Sequence, residues 1–422
     1  RGRRSESSTR GRCSIVFATI RDGTSEKIRP DSSGRCSYMT GGEMNRGVLE
    51  ELLSIARDPY PMLRAWKKEG ERKIIGSTLA DVPEELIHAS GMFPFTILGT
   101  NKRILRANTH LPDNACSQAR SDLELVLTYQ MDFFDGYVLP QVDDTSQHLC
   151  DIWRRNVSWE YFENFLPPRQ VDRPSAREWL LDETLRLKRS MESFTGREIS
   201  EGTLWDSIGL YNQNRGLLRH LYEMKRTYPD FITNREFFDI IKSSMWWPKE
   251  EHNRLLERLI SGIEETDLGG KEEKGTRVVL SGIVWEPPEI MDILDQSGLK
   301  VVGDDLCVGW RYIDSNVEVD GDPLKAIVDR HFKKGPFTPI YDKEGDRIFE
   351  NLLAQVRRNR AGGVIYLHIK FNESQDYDLP DLIGNMEREG IQIFVVETEY
   401  QTTHLAGVRT RIQAFAEALA QK

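Results

Sequence analysis

Lys73-Ile-Ile-Gly-Ser-Thr-Leu-Ala-Asp-Val-Pro-Glu-Glu-Leu-Ile-His-Ala-Ser-Gly-Met-Phe-Pro-Phe-Thr-Ile-Leu98 is the stretch from which the fold is read. Ile74 to Leu79 is an apolar and β-branched run of strand length. Pro83 suits the first turn of a helix, and Glu84 and Glu85 follow where the positive end of the helix dipole favours acids. Phe95 to Leu98 then predicts a second strand, so the stretch reads β-α-β, the unit of a parallel sheet.

Working outward, Val48, Leu49, Leu52, Leu53 and Ile55, then Met62, Leu63 and Trp66, predict two short helices between Gly47 and Gly70. Downstream, a helix Ser121–Gln130, a strand Asp135–Leu139 and the loop Pro140–Ser146, feeding a helix through Leu149, Ile152 and Trp153, continue the alternation. From Arg173 to about Glu265 the spacing turns purely helical, as in Leu180, Thr184 and Leu187 or Leu217, Leu221 and Met224. A charged linker, Glu264–Gly275, ends that region. Strands at Arg277–Ile283, Leu299–Val302, Val364–Ile369 and Ile391–Glu397 then alternate with helices at Pro288–Gln296, Asp346–Arg358, Leu379–Glu389 and Val408–Leu419. The expected class is α/β: two Rossmann-like, flavodoxin-like parallel-sheet domains, at 44–172 and 276–422, with an α-helical insert at 173–275. Residues 1–43 are polar and lack periodicity; they read as a basic tail or targeting peptide, or as a mis-started segment preceding Met39 or Met44.

Composition narrows the function. With 67 acidic against 57 basic residues, the chain carries a net charge of -10, which argues against a general nucleic-acid binder. No apolar run approaches membrane-spanning length. Five scattered cysteines without a Cys-x-x-Cys pair fit a reducing cytoplasm rather than a disulfide framework. Phosphate-binding P-loop, dinucleotide, zinc-protease and serine-hydrolase motifs are absent.

Within this frame Cys116, in Asn114-Ala-Cys-Ser-Gln-Ala-Arg-Ser-Asp122, and Cys307, in Gly303-Asp-Asp-Leu-Cys-Val-Gly-Trp-Arg311, occupy comparable connections in the two halves. Facing crevices would bring both thiols to one metal or cluster site; a loop cysteine is equally an ordinary packed side chain. Asp304 and Asp305, like Asp143 and Asp144, stand at strand ends, as helix caps or as catalytic acids. Glu84 and His88 share a helix face, either as an acid/base pair or half a metal site, or as an ordinary exposed surface. Arg409, Arg411 and Lys370 are candidates to steer an anionic group.

Taken together, Gly76 to Asp122, Asp135 to Trp153, Leu204-Trp-Asp-Ser-Ile-Gly-Leu-Tyr-Asn-Gln-Asn-Arg215, Val302 to Arg311 and Glu397 to Phe415 resemble the benzoyl-CoA reductase and 2-hydroxyacyl-CoA dehydratase family, most of all the C or gamma type of reductase subunit. The resemblance implies a CoA thioester substrate, a homologous B-type partner subunit, and a 4Fe-4S cluster held by loop cysteines. It also implies actin-like ATPase subunits that use ATP to drive electrons from ferredoxin. It assigns ligand positions to Cys116, Asp143 and the Asn372 region, with Cys307 and Cys150 the nearby candidates to substitute; Glu84, His88 and Asp304 are the candidate proton donors, which the resemblance itself does not assign. Two of those ligand positions depart from the family, which commonly has cysteine where this chain has Asp143 and Asn372. The expected activity is reduction of the ring of benzoyl-CoA. Dehydration of a 2-hydroxyacyl-CoA and a non-catalytic CoA-ester-binding or docking subunit are the alternatives.

Overall fold

The computed structural model describes residues 17–19, 25–27, 41–70, 72–78, 82–100, 102–128, 130–265, 275–335, 346–399 and 405–421. The expectation for 1–43 therefore falls largely outside the described residues, as do Cys13, Cys36, Leu79 and most of the charged linker. Strands β1 (Phe17–Thr19) and β2 (Ser25–Lys27) form a short antiparallel pair.

Helices α1 (Gly41–Arg57) and α2 (Tyr60–Gly70) lead into the first α/β half. It comprises β3 (Lys73–Thr78), α3 (Glu84–Ala89), β4 (Met92–Ile97), α4 (Ser117–Leu127), β5 (Gly136–Pro140), α5 (Asp144–Asn156) and β6 (Tyr161–Phe165). All its strands are parallel, in the order β4-β3-β5-β6. β4 begins three residues before its predicted start and contains Pro94, which an edge strand accepts because one side of its backbone needs no ladder donor. β6 is absent from the sequence-based reading; its short run Tyr161-Phe-Glu-Asn-Phe165 carries too little apolar length to signal a strand.

The predicted helical region is four helices: α6 (Pro174–Thr195), α7 (Glu201–Thr227), α8 (Asn234–Trp246) and α9 (Lys249–Glu264). The second half runs through β7 (Thr276–Gly282), α10 (Glu289–Gln296), β8 (Leu299–Leu306), α11 (Trp310–Ile313), α12 (Pro323–Lys333), α13 (Arg347–Asn359), β9 (Gly363–Ile369), α14 (Glu373–Arg388), β10 (Gln392–Thr398) and α15 (Ala406–Ala420). Its sheet is again all parallel, in the order β8-β7-β9-β10.

Counted from its own first strand, each sheet has the order 2-1-3-4. The order reverses between β3 and β5 in one half and between β7 and β9 in the other, and at such a point the connections splay apart and open a crevice at the carboxyl ends of the strands. A continuous apolar core joins the halves, running from Leu52 and Ile55 of α1 through Phe95 and Tyr137 to Val278 and Leu280. Trp246 of α8 pins the insert to the first sheet: its ring stacks on Phe95 at 5.6 Å, and its indole N–H donates to the Thr96 carbonyl at 2.7 Å. Among the described residues no helix is long and apolar enough to cross a membrane.

Candidate functional site

The carboxyl-end connections of the two sheets meet at Cys116. The thiol stands at the N-cap of α4, a helix that begins four residues earlier than its sequence pattern predicts. Asn372, at the N-cap of α14 beyond β9, donates from Nδ2 to Cys116 Sγ at 3.6 Å and accepts the Gln375 amide on Oδ1 at 3.0 Å. A backbone bond from the Ser117 N–H to the Lys370 carbonyl, 3.3 Å, ties the same two segments together. Between them Phe371 adopts a left-handed φ of 62°, uncommon for a bulky side chain and found where a turn is over-determined by its surroundings. Asp143, after β5, lies close enough to act on the thiol electrostatically.

Burial pushes the Cys116 thiol above its usual pKa; the Ala119 amide, the Asn372 side chain and the Gln118 amide pull it back, and Asp143 adds to the rise. The net result is a neutral thiol near pH 7. Beside it the Ser117 hydroxyl and the Gln118 side-chain amide are buried without a partner.

A four-iron cluster takes cysteine thiolates as ligands. The positions that meet here supply one neutral thiol, one amide and one carboxylate. The carboxylate and amide are also occupied: Asp143 Oδ1 accepts the Ser146 amide at 2.6 Å in a capping box at the start of α5, and Asn372 caps α14. Among the described residues no three His, Cys, Asp or Glu side chains are gathered so as to hold a metal ion. The residues present do not fit a four-thiolate cluster.

The other candidates have partners of their own. Cys307 follows β8, 3.8 Å from Arg311 Nη1, and its amide donates to the Gly282 carbonyl. Arg311 in turn makes a fully buried ion pair with Asp305. Asp304 ends up on β8 itself, which is longer than predicted, accepting the Tyr222 hydroxyl at 2.6 Å and the Trp310 amide at 2.8 Å. Burial raises its pKa to about 6, although the Trp310 amide, Tyr222 and the Leu306 amide lower it. Cys150, a further thiol, donates to Asn164 Oδ1. Lys370 pairs with Glu399 at the surface.

Glu84 is not on an exposed helix face. It is 6% exposed and accepts the Tyr312 hydroxyl, while Lys249 Nζ donates to the same hydroxyl at 2.8 Å. Its helix mate His88 is bonded to Ser207 and Glu250 at 3.0 Å each. Next along, Glu85 makes a buried ion pair with Arg215 at 2.7 Å. Burial raises the Glu85 carboxyl, but Arg215 and Arg330 more than offset this and hold it at about 2. Burial holds Lys249 down to about 8. The sequence-based reading missed Tyr312, Lys249, Arg215 and Arg330. Glu84 and Tyr312 are 228 residues apart and Glu85 and Arg215 are 130 apart, so no local spacing marks them.

Comparison with known proteins supports the family suggested by the motifs. The chain is 25% identical over 365 residues to the (R)-phenyllactyl-CoA dehydratase beta subunit of Clostridium sporogenes, covering 86% of this chain and 96% of that one. It is 27% identical to the lactoyl-CoA dehydratase beta subunit of Anaerotignum propionicum, covering 88% and 98%. To a benzoyl-CoA reductase subunit of Thauera aromatica it is 26% identical, covering 85% and 94%. The profile of the 2-hydroxyglutaryl-CoA dehydratase D-component matches residues 80–419, and the chain belongs to that family.

Proposed function

We propose that this chain is the smaller subunit of a benzoyl-CoA reductase. It pairs with a homologous B-type subunit, and actin-like ATPase subunits that use ATP feed electrons from ferredoxin to the pair in the cytoplasm. The reaction is reduction of the aromatic ring of benzoyl-CoA to cyclohexa-1,5-diene-1-carbonyl-CoA. One observation carries the reading: the connections after β4 and β9 converge on a single site at Cys116 and Asn372, with Asp143 after β5 beside it and too few thiols to hold a cluster alone. On this reading the 4Fe-4S cluster sits in the partner, and this chain shapes the shared site through Cys116, Asp143 and Asn372. Similarity to the Thauera aromatica subunit along 94% of its length supports the reductase branch.

The second reading, a 2-hydroxyacyl-CoA dehydratase subunit, is supported by equal similarity to dehydratase beta subunits. Co-expression with a homologous B-type subunit and the ATPase pair, followed by assay with benzoyl-CoA and with a 2-hydroxyacyl-CoA, separates the two. Turnover of benzoyl-CoA alone supports the proposal; dehydration of the hydroxyacyl thioester without ring reduction overturns it.

A further inference from the structure

Away from Cys116 a second polar site, partly open to solvent, lies between α3, α6, α7 and α12. It is a cavity of about 40 Å³ walled by Phe165, Leu180, Val317 and Val328, with Glu85, Arg215 and Arg330 among its charged lining. That volume holds about three waters or one carboxylate-sized molecule.

The hydrogen bonding around this cavity is incomplete. Arg215 Nη1 binds Glu85 and Nη2 binds Asn212, each at 2.7 Å, while its buried Nε–H has no partner. Arg330 donates from Nε to the Ser315 carbonyl and from Nη2 to the Tyr312 carbonyl, each at 2.8 Å, so it is fixed by neutral acceptors only. The nearby carboxylates are committed: Glu84 accepts the Tyr312 hydroxyl, and Asp314 accepts the Gly335 amide and the Ser315 hydroxyl. Glu85 faces both buried guanidiniums, and Asp314 also acts on Arg330. Burial and then the Arg215 charge hold Arg330 down to about 10, the sign of two like charges sharing a poorly solvated space. A guanidinium N–H left unmatched in a buried site is costly, and an oxyanion supplies both the acceptor and the charge.

We propose that this cavity binds a small oxyanion of the carboxylate class, held between the Arg215 Nε–H and the Arg330 guanidinium. Its lining includes none of Cys116, Asp143 and Asn372, and its occupant locks α3 of the first half to α12 of the second.

The test is thermal unfolding and titration calorimetry of the full chain with sodium acetate and, separately, sodium bicarbonate, against sodium chloride at matched ionic strength. A saturable rise in Tm with acetate or bicarbonate beyond chloride is expected, and which anion gives it distinguishes an organic carboxylate from carbonate. Arg330→Gln removes one charged donor and is expected to weaken binding by at least about 10-fold. Val328→Leu keeps every charge but fills the space, and is expected to weaken binding too; it carries the test if Arg330→Gln does not fold. No saturable response to either anion, or a response unchanged in Val328→Leu, overturns the proposal.

Discussion

Replacing Glu85 by Gln tests the electrostatics that join the two halves. In the folded chain the Glu85 carboxyl titrates at about 2, against 4.5 without the fold, because Arg215 and Arg330 together outweigh its burial. At 1.36 kcal/mol per decade, that difference is worth about 3 kcal/mol of folding stability. Since the folded value is the depressed one, the contribution is fully present above pH 4.5 and is lost as the pH falls towards 2. Breaking a buried ion pair from one side gives an independent figure of about 3–5 kcal/mol, because the guanidiniums stay behind without their counter-charge. Urea unfolding of wild type and Glu85→Gln near neutral pH, with the m-value checked for constancy, reads the difference directly. A loss of about 3 kcal/mol is expected, shrinking as both proteins are acidified. A loss below about 1 kcal/mol, or one independent of pH, would refute the reasoning, since that is the range of an exposed pair.

Asp143→Ala removes the capping box of α5 and is expected to cost about 1 kcal/mol in urea unfolding, with Asp143→Ser recovering most of it. Lys249 releases its proton at about 8 in the folded chain and at 10.5 in the unfolded one, so the unfolded state holds the extra proton between those values and this residue adds stability as the pH rises through that window. Lys249→Met should flatten that rise in the urea midpoint; an unchanged slope would contradict the assignment. Cys116 is buried and neutral, so in the native chain it should alkylate with iodoacetamide far more slowly than after unfolding, as followed by mass spectrometry.

Much of the fold is legible in local pattern. The strands Lys73–Thr78, Gly136–Pro140, Thr276–Gly282 and Gly363–Ile369 sit at the centre of their sheets, where burial on both faces writes a continuous apolar run. What escapes lies at the edges and ends. β6 is short and half polar, and α11 and α12 follow a loop whose residues resemble turn chemistry more than helix. α4 starts at Ser117 because tertiary contacts, not propensity, fix the Cys116 turn against Asn372. In the candidate site, Cys116 is legible from its place on a polar connection, whereas Asp143 and Asn372 are legible as ligand positions only through the family resemblance. Glu84 is a candidate from its helix alone, but its neighbours Tyr312, Lys249, Arg215 and Arg330 are not, because the ring is assembled from α3, α7, α9, α11 and α12 across long sequence separations.

The site at Cys116 lacks the thiolates for a cluster, and on the proposed reading the redox centre belongs to the partner subunit. Iron and acid-labile sulfide, determined on the full chain purified and reconstituted without oxygen and in the absence of partner subunits, test it most directly. The account predicts iron and sulfide well below one cluster per chain. Four irons and four sulfides bound per chain would contradict it.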